Sequence, residues 1–235
     1  MTAIPPVHDL LAARARRSGG APLLTHYRPA SGERVELSAT SLANWADKAA
    51  NLLDGLGVDE GSEVALPVLV ERPASWMGLV LPLACWQRGV GVRVVPREEA
   101  SGADLVVIGP DAPGPVGFET LACSLHPWGL ALPGLPDGVT DFSSSAMAEP
   151  DAHGGVPAQP SAVAWLSDAR DVTFAGLRDL EPLDERVLLT PDDPWEAVST
   201  VWRAASGQGS VVLVDGPADA DQLARIAHDE RAVRF

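Results

Sequence analysis

Short runs of almost uninterrupted apolar residues recur along this chain, and segments with helical periodicity separate them. Runs of this kind are typical of strands in parallel sheets whose two faces are both covered. Strands that alternate with helices predict an α/β fold, in which doubly wound, mostly parallel sheets are flanked by helices. The predicted strands lie at residues 64–68, 91–95, 104–108, 162–166, 186–190, 210–215 and 233–235.

The predicted helices carry start and stop signals that fit their periodicity. Pro73 and Pro194 suit the first turns of helices, Asp193 is a favourable N-cap, and Gly57 is a favourable stop. Together with apolar residues at three- and four-residue steps, these signals predict helices at residues 40–56, 74–88, 194–205 and 219–229.

Proline, glycine, serine and aspartate become frequent between about residues 110 and 160. The prolines interrupt any long element, so this stretch is expected to hold short strands at most. The predicted organisation is one domain over residues 1–235, with lobes at about 1–125 and 160–235 joined by a connector at 126–159.

The chain of 235 residues carries a formal net charge of −15. Such a charge repels polyanions at long range, so neither nucleic acid nor an anionic membrane is an expected partner. The basic cluster of Arg14, Arg16 and Arg17 is interpreted as the solvated face of an amphipathic helix. No apolar run is long enough to span a bilayer, and residues 1–9 lack the pattern of a secretory signal.

Two cysteines, Cys85 and Cys123, lie in apolar surroundings without C-x-x-C spacing. This usage indicates reduced, buried thiols rather than a disulfide framework. Together with the missing signal pattern, it predicts a cytoplasmic location.

No common signature of a phosphate loop, zinc protease, serine hydrolase or calcium loop is present. The five histidines are far apart, which favours surface or satisfied-core roles over metal ligation. His26, beside Tyr27 on a predicted strand, fits this interpretation least well. Asp219 is interpreted as a helix cap, and Asp215 and Asp221 as solvated acids rather than cation ligands.

Four segments follow one another in a characteristic order: residues 22–27 (Pro-Leu-Leu-Thr-His-Tyr), 32–38 (Gly-Glu-Arg-Val-Glu-Leu-Ser), 61–66 (Gly-Ser-Glu-Val-Ala-Leu) and 209–214 (Gly-Ser-Val-Val-Leu-Val). In this order they resemble the first part of the AMP-forming acyl-CoA synthetase superfamily, which includes firefly luciferase and the adenylation domains of peptide synthetases. The residues around Trp45 resemble, more narrowly, a family of short actinobacterial proteins related to these synthetases. The resemblance implies the truncated N-terminal domain of an acyl-adenylating enzyme.

In that superfamily, a loop rich in serine, threonine and glycine follows a strand like 162–166 and ends in lysine. Its backbone and hydroxyl groups hold the ATP phosphates. Here residues 167–174 follow the strand and contain neither a glycine run nor a lysine. The resemblance therefore implies an eroded phosphate loop, in which Ser167, Arg170 and Thr173 are the remaining candidates for nucleotide binding.

Asp192 and Trp195 occupy the place where related synthetases put an aromatic residue or histidine near the acyl pocket. The resemblance therefore implies a ligand pocket at these two residues. The alternative is a helix N-terminus, where the helix dipole favours acids. This alternative explains Asp193 and Pro194 without any ligand.

The superfamily's later motifs, which contact adenine, ribose and the reacting carboxylate, do not occur before Phe235. The resemblance thus implies a non-catalytic, degenerate relative that acts as a ligand-binding or protein-interaction module, with no catalytic residue. ATP or AMP with magnesium is expected only if residual binding survives. Two alternatives stay open: an acyl-activating component completed by a partner chain, and a homo-oligomeric scaffold. The expected partners are another copy, a partner protein, or a small acyl or nucleotide ligand.

Overall fold

The computed structural model describes residues 6–111 and 114–235, which form two β-sheets and the helices around them. The strands in chain order are β1 (Pro22–Arg28), β2 (Glu33–Ser38), β3 (Val64–Ala65), β4 (Val92–Arg93), β5 (Leu105–Ile108), β6 (Glu119–Ala122), β7 (Thr140–Asp141), β8 (Val163–Ser167), β9 (Arg170–Thr173), β10 (Arg186–Leu189), β11 (Ser210–Val214) and β12 (Val233–Arg234).

Helices connect most of these strands. The α-helices within the described ranges are α1 (Leu10–Ser18), α2 (Ala39–Gly55), α3 (Pro67–Glu71), α4 (Trp76–Gln87), α5 (Phe142–Ala148), α6 (Phe174–Arg178), α7 (Pro194–Ser206) and α8 (Ala220–Asp229), and short 3₁₀ helices cover Val7–Asp9 and Arg97–Glu99.

The first sheet has the strand order β12-β10-β11-β1-β2, and the second has the order β7-β6-β5-β3-β4-β8-β9. Neighbouring strands are parallel except in two edge hairpins, β1–β2 and β8–β9. The predicted α/β class with mostly parallel sheets is therefore confirmed. The division into lobes at 1–125 and 160–235 stays a prediction, and the first sheet combines strands from both ends of the chain.

Both sheets contribute to one large hydrophobic core. It contains Leu24 and Val211 from the first sheet, Val64 and Trp165 from the second, and residues of α2, α4 and α7. All 12 residues of α4 are buried, including Pro82 in its interior. A helix buried on every side needs no polar face, which explains why this segment is apolar throughout.

The predicted strand at 64–68 is wrong in its second half. Only Val64–Ala65 is a strand, and Pro67 begins helix α3 at the N1 position. Proline suits that position because its missing N–H has no intrahelical partner there. Pro73 does not lie in the first turn of the next helix, since α4 begins at Trp76.

The proline-rich stretch contains more regular structure than expected. Residues Phe142–Ala148 form helix α5, and the side chain of Asp141 caps it by accepting a hydrogen bond of 2.6 Å from the N–H of Ser144. The expectation of short strands at most is therefore wrong at this helix. The Asp141 cap stabilises the first turn of this helix, although serine-rich segments by themselves favour turns over helices.

Arg14 is not on a solvated face. Its side chain is 2% exposed, and its guanidinium donates hydrogen bonds of 3.0–3.2 Å to the backbone oxygens of Gly207, Gln208 and Gly209. Arg16 does lie in solvent, paired with Asp9. The interpretation of the basic cluster as solvated is therefore wrong for Arg14, which joins α1 to the turn between α7 and β11.

The expectation about the chain start concerns residues 1–9, of which residues 1–5 lie outside the described residues. Residues 112 and 113 of the proline-rich stretch also lie outside them. Across the two described ranges, no helix combines the length and apolar character that a membrane crossing requires.

Candidate functional site

The segment at the predicted phosphate loop forms a tight β-hairpin. Strand β8 ends at Ser167, strand β9 begins at Arg170, and these two residues pair with each other, so only Asp168 and Ala169 make the turn. Strand β9 ends at Thr173, and helix α6 follows directly. The backbone groups of this segment therefore serve the sheet edge rather than an open loop.

Two of the predicted phosphate ligands have partners inside the protein. The hydroxyl oxygen of Ser167 lies 3.4 Å from the indole Nε1 of Trp165 and accepts its hydrogen bond. The hydroxyl oxygen of Thr173 accepts a hydrogen bond of 3.1 Å from the N–H of Gly176 and caps helix α6. Both hydroxyls thus stabilise the hairpin and the helix that follows it.

Arg170 connects the hairpin to the start of helix α7. Its Nη2 donates to Oδ2 of Asp193 at 3.1 Å, and its guanidinium carbon lies 5.7 Å from the ring centroid of Trp195. The side chains of Arg170 and Asp193 are 39% and 42% exposed, so solvent screens their charges and the pair contributes at most about 1 kcal/mol. The structure therefore brings the predicted nucleotide-binding and pocket residues together at this contact.

Trp195 belongs to a cluster of buried tryptophans. It is 8% exposed, and its ring centroid lies 5.3 Å from that of Trp165 and 6.4 Å from that of Trp86. Trp86 in turn lies 5.4 Å from Trp202 in an edge-to-face arrangement. These contacts make Trp195 a core residue, and its role in a ligand pocket stays a prediction.

A cavity of about 530 Å³ lies at the carboxyl ends of β10 and β11. Thr190, Asp192 and Asp215 line it from the ends of these strands, and Glu71 and Arg72 line it from the carboxyl end of α3. Open α/β sheets place their ligands at this end of the strands. Asp192 therefore lines this cavity, whereas Trp195, the other residue of the predicted pocket, does not.

His26 is buried beside Asp215, which lines this cavity. Its side chain is 3% exposed, its Nε2 lies 3.4 Å from Oδ2 of Asp215, and neither ring nitrogen has a well-formed hydrogen bond to a described residue. Burial of Asp215 opposes its ionisation, but His26 and Arg28 outweigh that effect and hold the pKa of Asp215 below its usual range. The interpretation of Asp215 as a solvated acid is wrong, because its side chain is only 10% exposed.

No cluster of three or more histidine, cysteine or acidic side chains suited to a metal ion occurs within residues 6–111 and 114–235. The prediction of buried, free cysteines is confirmed for Cys85 and Cys123. Burial raises the pKa of both thiols to about 12, which keeps them protonated and unreactive.

The fold and the comparisons with known proteins define the class of this protein. The N-terminal domain of FACL13 from Mycobacterium tuberculosis is similar over 97% of this chain, with a TM-score of 0.70 and 15% identity. Brucella canis acyl-CoA synthetase is similar over 97% of the chain (TM-score 0.74, 16% identity), and the Klebsiella oxytoca NpsA N-terminal subdomain over 98% (TM-score 0.66, 15% identity). The fold is that of the N-terminal domain of AMP-forming acyl-CoA synthetases and adenylation domains, as the resemblance implied.

A protein with a similar amino-acid sequence identifies the family of this chain. A TIGR03089 family protein of Mycobacterium tuberculosis is 33% identical over 227 residues, and the match covers 89% of each chain. The present chain belongs to this family. No protein-family profile matches it. It spans 61%, 46% and 60% of the three solved chains named above, respectively.

The acids at the start of α7 allow a direct test of local structure. Asp193→Ala is expected to lower the free energy of unfolding by about 1 kcal/mol, because it removes the helix cap and the partner of Arg170. Asp192→Ala is the matched control; its exposed side chain has no such contact, so a change within about 0.5 kcal/mol is expected. Urea unfolding followed by tryptophan fluorescence measures both. Equal losses in the two variants would contradict the assignment of the cap to Asp193.

Proposed function

We propose that this protein is a non-catalytic relative of the AMP-forming acyl-CoA synthetases that keeps their N-terminal scaffold as a binding or interaction module. The observation that carries the proposal is the β8–β9 hairpin. It stands where the superfamily resemblance implies a phosphate loop, and its turn contains two residues only.

The groups present at the hairpin do not fit a triphosphate. Phosphates are held by several free N–H and hydroxyl donors and by a nearby cation. Here the backbone of Ser167 and Arg170 is paired in the hairpin, internal hydrogen bonds fix the hydroxyl oxygens of Ser167 and Thr173 to the sheet edge and to helix α6, and Arg170 is paired with a carboxylate. Asp168 and Asp171 add negative charge, and a phosphate charge about 5 Å from either would be disfavoured by about 1–3 kcal/mol.

This proposal predicts the absence of acyl-adenylate chemistry. Purified protein with Mg-ATP and a panel of fatty and aromatic acids is expected to exchange pyrophosphate into ATP no faster than buffer does. At 1 mM, Mg-ATP is expected to raise the melting temperature by less than about 1 °C, because a ligand stabilises only the state that binds it. An acyl-CoA synthetase with an intact phosphate loop serves as the positive control.

The Arg170→Ala variant shows whether any exchange or thermal shift comes from phosphate binding at the hairpin. If Arg170 retained a phosphate-binding role, the wild type would show exchange or a thermal shift, and the variant would lose it. Pyrophosphate exchange by the wild type above the buffer rate would overturn the proposal, and its loss in Arg170→Ala would assign that activity to the hairpin. The same thermal-shift screen with AMP, CoA and carboxylic acids tests the cavity at the carboxyl ends of β10 and β11 for a small ligand.

A further inference from the structure

The second sheet has an inner face, which packs on the large hydrophobic core, and an outer face, which points away from it. The outer face is covered over only part of its width. Over β3, β5 and β6, a small apolar cluster joins the strands to the segment around the 3₁₀ helix Arg97–Glu99. At the amino ends of β3, β4 and β8, and over Arg93 and Leu166, the described residues leave an open cavity of about 730 Å³. Parallel sheets nearly always have both faces covered, so this gap is unusual. The buried members of the apolar cluster are Ala65, Val95, Ala100, Ala103, Val106, Ile108 and Ala122.

Two apolar side chains of β8 line this cavity. Leu166 pairs with Arg93, which pairs with Ala65 of the outer cluster. Residues paired across adjacent strands point to the same face, so Leu166 points outward as well. Leu166 is 39% exposed and Val163 is 41% exposed, although β8 lies between β4 and β9 inside the sheet.

Glycine backbone forms part of the floor of this cavity. Gly89, Gly91 and Gly102 are among its lining residues. A Cβ atom at Gly91 would lie 2.2 Å from the backbone oxygen of Val163, so a side chain is excluded there. With the apolar side chains of β8 partly exposed to solvent, the cavity is an open trough. A trough of this kind fits the side of a helix better than a small molecule, which pockets bury by about 70–90%.

The rim of the trough is acidic. Glu60, Glu63 and Glu99 line it. Glu63 is neutralised by Arg93, with 2.5 Å between Oε1 and Nη2. Glu60 and Glu99 have no ion pair with any residue of the described ranges, and neither does Asp171 on the adjacent strand β9. The rim therefore presents unpaired carboxylates on both sides of an apolar floor.

An exposed aromatic ring lies close to the same end of the sheet. Phe118 is 86% exposed, and its N–H lies 3.4 Å from the backbone oxygen of Ala103, which follows Gly102 of the trough lining. Aromatic side chains are enriched among the residues that contribute most to the binding energy of protein interfaces. Phe118 adds an exposed aromatic side chain near this end of the sheet, outside the trough lining.

We propose that this trough docks a helix of a partner protein, in which lysine or arginine flanks an apolar stripe. The inference rests on the proposed interaction function and names its surface. The apolar stripe would cover Val163 and Leu166, and the basic residues would meet Glu60, Glu99 and Asp171. A second copy of this chain is a poor occupant, because each copy carries a net charge of −15 and two acidic rims repel each other.

Site-specific photo-cross-linking tests this surface. Leu166 is replaced by p-benzoylphenylalanine in the full chain, which is expressed in its native host. Ala224, exposed on helix α8 beside the first sheet, carries the same probe as the control. We expect an adduct from position 166 and none from position 224. Mass spectrometry should place the cross-link in a segment of another protein with apolar residues at i, i+3 and i+4 and flanking lysine or arginine.

A peptide with the sequence of the cross-linked segment then provides a quantitative test. Glu60→Lys combined with Glu99→Lys is expected to weaken its binding at least about tenfold, and binding to the wild type is expected to weaken with added salt. Glu98→Lys is the matched control, because Glu98 is exposed next to Glu99 and does not line the trough; a loss of less than about threefold is expected there. Circular dichroism verifies that all variants fold.

The outcomes separate this inference from the proposed function. An adduct at position 224 alone, no adduct at all, a cross-link to a second copy, or an acidic cross-linked segment would each overturn the docking surface. Pyrophosphate exchange would overturn the non-catalytic function but leaves the cross-linking result unchanged. Equal effects of the double variant and the Glu98→Lys control would also overturn the docking surface.

Discussion

Replacing Arg14 with alanine is expected to lower the free energy of unfolding by about 3 kcal/mol, more than any surface substitution. The substitution removes three charge-assisted hydrogen bonds to the backbone oxygens of Gly207, Gln208 and Gly209. These oxygens lie in the turn between α7 and β11, and those of Gly207 and Gly209 would lose a partner at buried positions. The loss should therefore loosen α1 from the rest of the core.

Urea unfolding followed by tryptophan fluorescence measures this effect. Arg16→Ala on the same helix is the control; Arg16 is 65% exposed and its ion pair among the described residues is with Asp9, so a change within about 0.5 kcal/mol is expected. Arg14→Lys retains the charge but loses the forked geometry, and it should recover less than half of the stability. Equal unfolding midpoints for the alanine variants at positions 14 and 16 would show that the buried contacts contribute nothing.

Elements with strong local signals could be predicted from the sequence. Helix α7 begins at Pro194 under an Asp193 cap, and α8 follows Asp219, whose capping box with Gln222 satisfies the first turn. Both helices were predicted to within about two residues of their ends, since caps and periodicity act within one or two turns. Signals of this range do not depend on the rest of the fold.

Contacts between distant parts of the chain could not be predicted in the same way. Arg14 follows Leu10 by four residues and Leu11 by three, so it shares their face of α1, although its charge led to the interpretation as a solvated residue. Its acceptors, however, lie 193–195 residues later in the chain. Only the order of the strands and helices brings them together.

The candidate site shows the same division. His26 stood out in the sequence because it sits on a predicted strand, yet its neighbour Asp215 follows a different strand, β11, which the sheet order places beside β1. The hairpin after β8 was interpreted as a loop because the superfamily resemblance placed a loop there. Its pairing of Ser167 with Arg170 depends on the open edge of the second sheet, which no local signal reveals.

A buried carboxylate on the outer face of the first sheet gives the second large prediction. Glu230 is 9% exposed and accepts hydrogen bonds from the hydroxyl of Tyr27 and from the guanidinium groups of Arg34 and Arg186. Burial of this carboxyl opposes its ionisation, but the three donors outweigh burial and lower the pKa of Glu230 to about 2. The ionised form therefore stabilises the folded protein.

The sign of the pH dependence follows from this depressed pKa. An unfolded glutamate has a pKa near 4.5, so the stabilisation is complete above that pH and is lost as the pH falls towards about 2. Each pKa unit corresponds to about 1.4 kcal/mol. Arg34 is 42% exposed, so solvent screens its ion pair with Glu230. We therefore expect the ionised Glu230 to contribute about 2 kcal/mol to the free energy of unfolding.

Glu230→Gln should therefore be less stable than the wild type by about 2 kcal/mol at pH 6, and the difference should shrink to nearly zero at pH 2. Urea unfolding at intervals from pH 6 to pH 2 measures the two curves. Asp229→Asn is the control, because the exposed side chain of Asp229 lies outside the network and its curve should run parallel to that of the wild type. A Glu230→Gln curve that also runs parallel would mean that Glu230 titrates as it does in the unfolded chain. In that case the ion pairs with Arg34 and Arg186 would not hold α8 against the sheet.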